Sequence, residues 1–386
     1  MKKEYLFTPG PTPIPTESLL SMARPIDYHR SQQAADVIRE VAENLKHVFQ
    51  TRDDVLILTS SGTGAMEGAV ANLLSPSDKV LVIRSGKFGE RWGEICAAYG
   101  IKFVPIDLEW GLSVEPDAVA DILKSNPDIK AVFSTLCETS TGALHDIEAL
   151  GEITRDTSTL LVVDAVSALG ADDLQMDNWH VDVVVSCSQK GLMTPPGLAF
   201  VSLSERAWES VKKSTLPKYY FDFKKARSDL VKGSTPYTPA ITFIMALQQS
   251  LRLICAEGIR NVLWRHARLA EATRAAVKAL GLQLFAAHPA NTLTSIRFPR
   301  GLDSKAFVNT MRKQHGITYA GGQEKLSGEI IRIAHLGWMN EYDVMVAISA
   351  LEMGLAEAGY DVNLGAGVTA AEQVFTTFSE TENIRG

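Results

Sequence analysis

From about residue 55 to 205 the chain alternates short apolar runs with longer amphipathic stretches, and this rhythm restricts the possible folds more than any other feature. The runs are VLIL (55–58), KVLVI (79–83), KFVPI (102–106), AVFSTL (131–136), TLLVVD (159–164), VDVVVSCS (181–188) and LAFVSL (198–203). Several are apolar throughout rather than at every second residue. A strand with one wet face alternates, whereas a strand covered on both faces does not. The pattern therefore predicts an α/β fold built on a largely parallel sheet with helices on both sides. GAMEGAVANLL (64–74) is the clearest intervening helix, closed by the turn residues SPSD.

Beyond residue 205 the rhythm changes. LPKYYFDFKKARSDL (216–230) is charged and aromatic, and two prolines in STPYTPA (234–240) break any helix there. The pattern is helical from Ile241 to about Leu280. A smaller α+β unit follows, with LTSIRF and IIRIAHL as strands and SKAFVNTMRKQ and VMVAISALEMGLAEA as helices. At 386 residues the chain exceeds what one core usually serves. Two domains are expected: residues 1–255, an N-terminal segment plus the large sheet, and 256–366, the smaller C-terminal domain. The polar residues 367–386 are expected to fray.

Composition excludes several classes of partner. A formal net charge of -7 offers no broad basic field for a nucleic acid. No run approaches the roughly 18 apolar residues of a membrane span, and Pro9 and Gly10 interrupt the N-terminus before a signal-peptide core forms. A cytoplasmic protein is expected. Cys96, Cys137, Cys187 and Cys255 form no C-x-x-C pair, and His145, His180, His266 and His315 show no ligand spacing, so no metal site is expected.

Asp164 ends one predicted strand and Lys190 follows another by a few residues. In a parallel sheet the carboxyl ends of the strands form the ligand crevice, where both side chains can meet. A lysine leaving an apolar strand end needs a partner or a lowered pKa. An imine to an aldehyde cofactor removes that difficulty. Asp164 would then pair with a protonated pyridine nitrogen and keep the ring an effective electron sink. Taken alone, each residue reads better as a surface lysine in a turn or an aspartate capping the next helix. A third element adds weight: an apolar strand runs through Ser60, Ser61, Gly62, Thr63 and Gly64 into a helix, the arrangement of a phosphate cradle, although alone it reads as well as an ordinary N-capped helix with a glycine-rich turn. It fits neither G-x-G-x-x-G nor the P-loop, which removes the main support for nicotinamide or nucleoside triphosphate binding.

SGTGAMEGAV, ETSTG (138–142), VDAVSALG (163–170) and SCSQKGLMTPPGLAFVS (186–202) resemble the class V aminotransferases, of the pyridoxal-phosphate-dependent transferase fold type I. FTPGPTPIP, the SQK lysine and IIRIAHLG narrow the resemblance to the alanine-glyoxylate and serine-glyoxylate (serine-pyruvate) group, over roughly residues 5 to 360. The resemblance implies a seven-stranded large domain, a smaller C-terminal domain, pyridoxal 5'-phosphate as cofactor, and a homodimer with active sites shared between subunits. It assigns the cofactor's covalent link to Lys190 and the pyridinium partner to Asp164. Gly62 and Thr63 would cradle the phosphate beside Gln189, Phe88 would stack on the ring, Val166 would press on its opposite face, and Thr139 would meet its hydroxyl. Thr235 and Thr238 match a segment lent by the neighbouring subunit, although several relatives carry Tyr where this chain has Thr235. Arg332 would take the substrate α-carboxylate, for which a guanidinium offers a planar fork. Gly10, with Pro9 and Pro11, would close over the substrate. Tyr28, His29 and Arg30 either line the pocket or start a helix.

The resemblance implies a ping-pong transaminase that takes the amino group of alanine, serine or aspartate and gives it to a 2-oxo acid, with glyoxylate preferred. Lys190 would serve as both cofactor anchor and proton carrier. Within the same fold, 2-aminoethylphosphonate-pyruvate transaminases share the TPGP start. A cysteine desulfurase would commonly place His, not Gln189, before the lysine and need a mobile cysteine, whereas Cys255 lies in a predicted helix. Some similar sequences carry a hydrogenase-subunit label, but no cysteine cluster here suits a redox centre.

Overall fold

All seven apolar runs become strands of one sheet in the computed structural model, which describes residues 3–26 and 28–378. In chain order the strands are β1 (Tyr5–Phe7), β2 (Val55–Thr59), β3 (Lys79–Arg84), β4 (Lys102–Asp107), β5 (Ile129–Thr135), β6 (Cys137–Glu138), β7 (Ala143–Leu144), β8 (Leu160–Asp164), β9 (Val183–Cys187), β10 (Leu198–Leu203), β11 (Gln283–Leu284), β12 (Leu293–Arg297), β13 (Ile317–Gly321) and β14 (Ile330–Ala334). The large sheet runs β2-β10-β9-β8-β5-β3-β4. β10 alone runs opposite to the other six strands. Every residue of β8, β9 and β10 is buried, as unbroken apolar runs require. The edge strand β4 has exposed positions and carries Pro105, whose missing N–H costs nothing on an open edge.

Helices cover the sheet by burying one stripe each. Gln32–Phe49 presents Ile38, Val41, Leu45 and Val48 to the core, a spacing of three to four residues. Gly62–Leu73 is buried almost all round, so it is built of glycine, alanine and valine. The predicted long helix is two helices, Ile241–Glu257 and Ile259–Ala279, meeting at Gly258.

The second sheet runs β1-β13-β14-β12-β11 and has its own core, which includes Phe7, Leu269, Ile296, Ile331, Ile333 and Leu351. Its first strand comes from the N-terminus: Tyr5–Phe7 pairs parallel with Ile317–Tyr319. The N-terminal segment thus stitches the smaller sheet to the rest of the chain. A helix, Ala366–Thr377, occupies most of the stretch expected to fray. Its N-terminus is held by the Glu352 carboxylate, which accepts from Gly365 N and Gly367 N at 2.7 Å and Val368 N at 3.1 Å, and Ala371 is fully buried. Residues 379–386 of that tail lie outside the described residues. Among the described residues no helix is long and apolar enough to cross a membrane.

Candidate active site

The order of the large sheet gathers the site. β3 lies between β4 on one side and β5 on the other, so the strand order reverses there and leaves a crevice at the carboxyl ends. β2 and β9 both pair antiparallel with β10 and therefore point the same way. The segments after β2 (Ser61 to Thr63), β3 (Phe88), β5 and β6 (Thr139) and β9 (Lys190), together with Asp164 at the end of β8, all lie at one end of the sheet. Arg332 reaches it from β14 of the smaller sheet.

Lys190 is half-buried, and its stem lies against Gly10, where a Cβ would fall 2.4 Å from the lysine. Its Nζ donates to the Pro9 carbonyl. Thr12 fixes the same loop from the other side: its N–H donates to Gln189 O at 3.3 Å and its hydroxyl to Lys190 O at 3.0 Å. The N-terminal FTPGPTP motif thus closes on the lysine. Burial pulls the Lys190 amine below its ordinary pKa, against the nearby charge of Asp164, which favours the cation. Asp164 itself is only 5% exposed, and Oδ1 accepts from Val166 N at 2.7 Å. Burial pushes its carboxyl up to about 6.

Gly62 opens the helix Gly62–Leu73 behind the N-cap Ser61, and a Cβ at Gly62 would strike Val166 at 2.7 Å. The glycine therefore lets Val166 sit beside the cradle. Ser61 and Thr63 are exposed, leaving the mouth of the helix open to an anion. Arg91 donates from Nη1 to Thr63 Oγ1 at 3.2 Å and lies over the Phe88 ring at 4.8 Å, joining cradle and aromatic. Because the arginine is the donor, the Thr63 hydroxyl keeps its own proton for an acceptor in the mouth.

Arg332 is 6% exposed, and no ion pair to it occurs among the described residues. Its Nη1 donates to Thr139 O at 2.7 Å, and Nε and Nη2 donate to Gly321 O at 3.0 and 2.8 Å. These carbonyls hold the plane of the guanidinium without neutralising it. Burial brings Arg332 down to about 10, so it remains a cation at neutral pH. The Thr139 hydroxyl meets Ser167 Oγ at 2.6 Å.

Two expected residues are not brought into this cluster within one chain. Thr235 donates to Tyr237 O at 2.6 Å, and Thr238 is exposed. Their loop is tethered to the start of the cradle by Ala240 N donating to Thr59 Oγ1 at 3.2 Å. Tyr28 is exposed, Arg30 donates to Ser234 Oγ at 3.0 Å, and the next residue, Ser31, caps the helix Gln32–Phe49. Cys255 lies in the helix Ile241–Glu257. His145 is structural: Nδ1 accepts from Val114 N at 3.1 Å, which leaves Nε2 to donate to Ser85 Oγ at 2.7 Å, and burial pulls it down to about 4.

Residues 5–335 match the family described as Aminotransferase class-V. The chain belongs to the class-V aminotransferases. A protein named soluble hydrogenase, small subunit, from Synechococcus sp. is 45% identical over 384 residues, covering 97% of this chain and 99% of that one. A serine–glyoxylate aminotransferase from Hyphomicrobium methylovorum is 39% identical, covering 96% and 94%. Among solved structures, a ureidoglycine-glyoxylate aminotransferase from Bacillus subtilis superposes with a TM-score of 0.91 at 27% identity, covering 97% and 99%.

The site of this class-V aminotransferase has the chemistry for pyridoxal phosphate. The helix N-terminus at Gly62 and the exposed hydroxyls of Ser61 and Thr63 offer donors to a phosphate, and the buried Asp164 holds a carboxylate that a protonated ring nitrogen would satisfy. Arg91 and Glu138 escaped the sequence reading. Arg91 had a signal, lying three residues after Phe88 on one helix face. Glu138 had a weaker one, an acid directly after an apolar strand among small residues.

Proposed function

We propose that this protein is a ping-pong transaminase that moves the amino group of a small amino acid, alanine, serine or aspartate, to a 2-oxo acid, with glyoxylate the preferred acceptor. The observation that carries the reading is Arg332: a buried guanidinium, oriented by backbone carbonyls and in no ion pair among the described residues, at the same crevice as Lys190. An α-carboxylate supplies the missing charge, and bidentate pairing fixes how the amino acid lies. The names of the relatives support glyoxylate as acceptor.

Pyridoxal phosphate, when bound, supplies an electron sink for the α-carbon of the substrate. Lys190 would hold it through Nζ, Asp164 would face its ring nitrogen, and Phe88 and Val166 would enclose its two faces. Ser61, Gly62, Thr63 and Gln189 would take the phosphate, and Thr139 the ring hydroxyl. Once the substrate amine has displaced it from the cofactor, Lys190 would be free to take the α-proton at Nζ and pass it on, and burial, which lowers its pKa, favours the neutral form that this needs. Gly10 and the Pro9 carbonyl sit over that amine and restrict water. In a homodimer, Thr235 and Thr238 would complete the phosphate site of the second copy.

The test is an absorption spectrum of the purified protein with pyridoxal phosphate, before and after alanine, serine, aspartate and 2-aminoethylphosphonate. A bound-cofactor band above 400 nm that the first three amines bleach, in a reaction that glyoxylate reverses, is expected. Lys190→Ala should lower turnover by about 10²- to 10⁴-fold. Lack of any cofactor band in the wild type would instead favour a non-catalytic subunit, as the hydrogenase name of one relative suggests. Bleaching by 2-aminoethylphosphonate alone would move the substrate to that amine.

A further inference from the structure

Glu138 is a fully buried carboxylate that the proposed reaction does not use. It stands at the end of β6, between two elements of the site. Oε2 accepts from Gly89 N at 2.8 Å and Phe88 N at 3.1 Å, and Oε1 accepts from Phe88 N and Ser140 N, both at 3.2 Å. The Ser140 hydroxyl donates to Oε1 at 2.5 Å. Every one of these bonds is donated to the carboxylate, so its ionised form is satisfied without a proton, although burial pushes its pKa up.

The two sets of donors belong to different parts of the site. Phe88 N and Gly89 N are first-turn groups of the helix Lys87–Ala98, which carries Phe88 and Arg91. Ser140 belongs to the turn between β6 and β7, whose Thr139 carbonyl receives Arg332 Nη1. Lys87 N also donates to Ser140 Oγ at 3.1 Å, so helix and turn are cross-linked through the same group. Gly86 permits this close approach of helix and carboxylate, since a Cβ there would lie 2.5 Å from the Glu138 Cδ.

We infer that Glu138 is a positioning residue that ties the ring-stacking Phe88 to the carboxylate-binding Arg332, so that one buried charge sets the geometry of both cofactor and substrate contacts. The inference rests on the function proposed above. It also gives Glu138 an electrostatic part, since its charge favours the cationic form of Arg332 before a substrate carboxylate arrives.

Glu138→Gln tests it, because the amide keeps the shape but turns an N–H₂ toward backbone donors. Two affinities are measured on folded protein with a wild-type circular dichroism spectrum. One is that of apoprotein for pyridoxal phosphate, by absorbance. The other is that of the loaded enzyme for propionate, a carboxylate without an amine, by its shift of the cofactor band. Both should weaken roughly tenfold. A merely structural carboxylate would lower the melting temperature and leave both affinities within twofold, which overturns the inference, as does weakening of one affinity alone. If Glu138→Gln is insoluble, Ser140→Ala decides: about threefold weakening of both affinities supports the coupling, and unchanged values sink it. A wild type that takes up no pyridoxal phosphate fails differently, by removing the cofactor reading itself and this inference with it.

Discussion

Asp164 shows how one side chain links stability to chemistry. Its carboxyl titrates near 6 in the fold against about 3.9 in an unfolded chain, so the native apoprotein binds the extra proton between those values. Its contribution to stability is therefore greatest below about pH 4 and is lost as pH rises through about 6. Asp164→Asn removes that penalty. The apoprotein variant should be more stable than wild type by on the order of 2 kcal/mol at pH 8 and by little at pH 4, as read from urea unfolding. The same variant should lose transamination, because an amide cannot hold the ring nitrogen protonated. A variant less stable than wild type at pH 8 would show that Asp164 is not held at a cost. Lys190 and Asp164 were legible in the sequence because a charge at the end of an apolar strand is a local signal. Glu138 was not, since its donors on Phe88 and Gly89 lie about 50 residues away in the chain.

At the scale of elements, polar side chains decide where several helices start and whether they dock. Ser31, Asp146, Ser204, Asp222, Asp303 and Asn340 each accept a first-turn N–H of their own helix, a signal that sequence carries. The helix Ala366–Thr377 has no such cap of its own and borrows Glu352 from the helix Glu341–Glu357. Composition alone made that stretch look like a polar tail. Glu352→Ala should cost about 1–3 kcal/mol and speed amide exchange across Ala366–Thr377, with the Lys190 region unchanged. Uniform exchange rates in variant and wild type would mean the helix docks without the borrowed cap. The strand Tyr5–Phe7 was equally hidden: three residues carry no periodicity, and only pairing with β13 makes them a strand.

At the scale of the whole molecule, a group of aromatic side chains lies at the surface beside one loop. Tyr219 and Tyr220 are exposed, and Tyr237 stacks on both, at 5.9 and 5.1 Å, on the loop that carries Thr235 and Thr238. A homodimer that brings this loop to the neighbouring cradle would cover the aromatic group. Tyr219→Glu, which places a charge at the most exposed of these tyrosines, should shift the protein toward monomer in light scattering and weaken pyridoxal phosphate binding together. Dissociation with unchanged cofactor affinity would show that the loop completes no site across the interface.

The seven strands, the helices between them and the smaller α+β unit followed from the sequence, because the period of apolar residues reports which faces are buried. Motif order likewise brought Lys190, Asp164, the Gly62 cradle and Arg332 into one expectation. Only the tertiary structure decided how they meet. Strand order turned five separate segments toward one end of the sheet, the N-terminal loop closed on Lys190, and Glu138 and Arg91 became bridges between elements. Such contacts join residues far apart in the chain, and their strength comes from burial and direction, which exist only once the chain has packed.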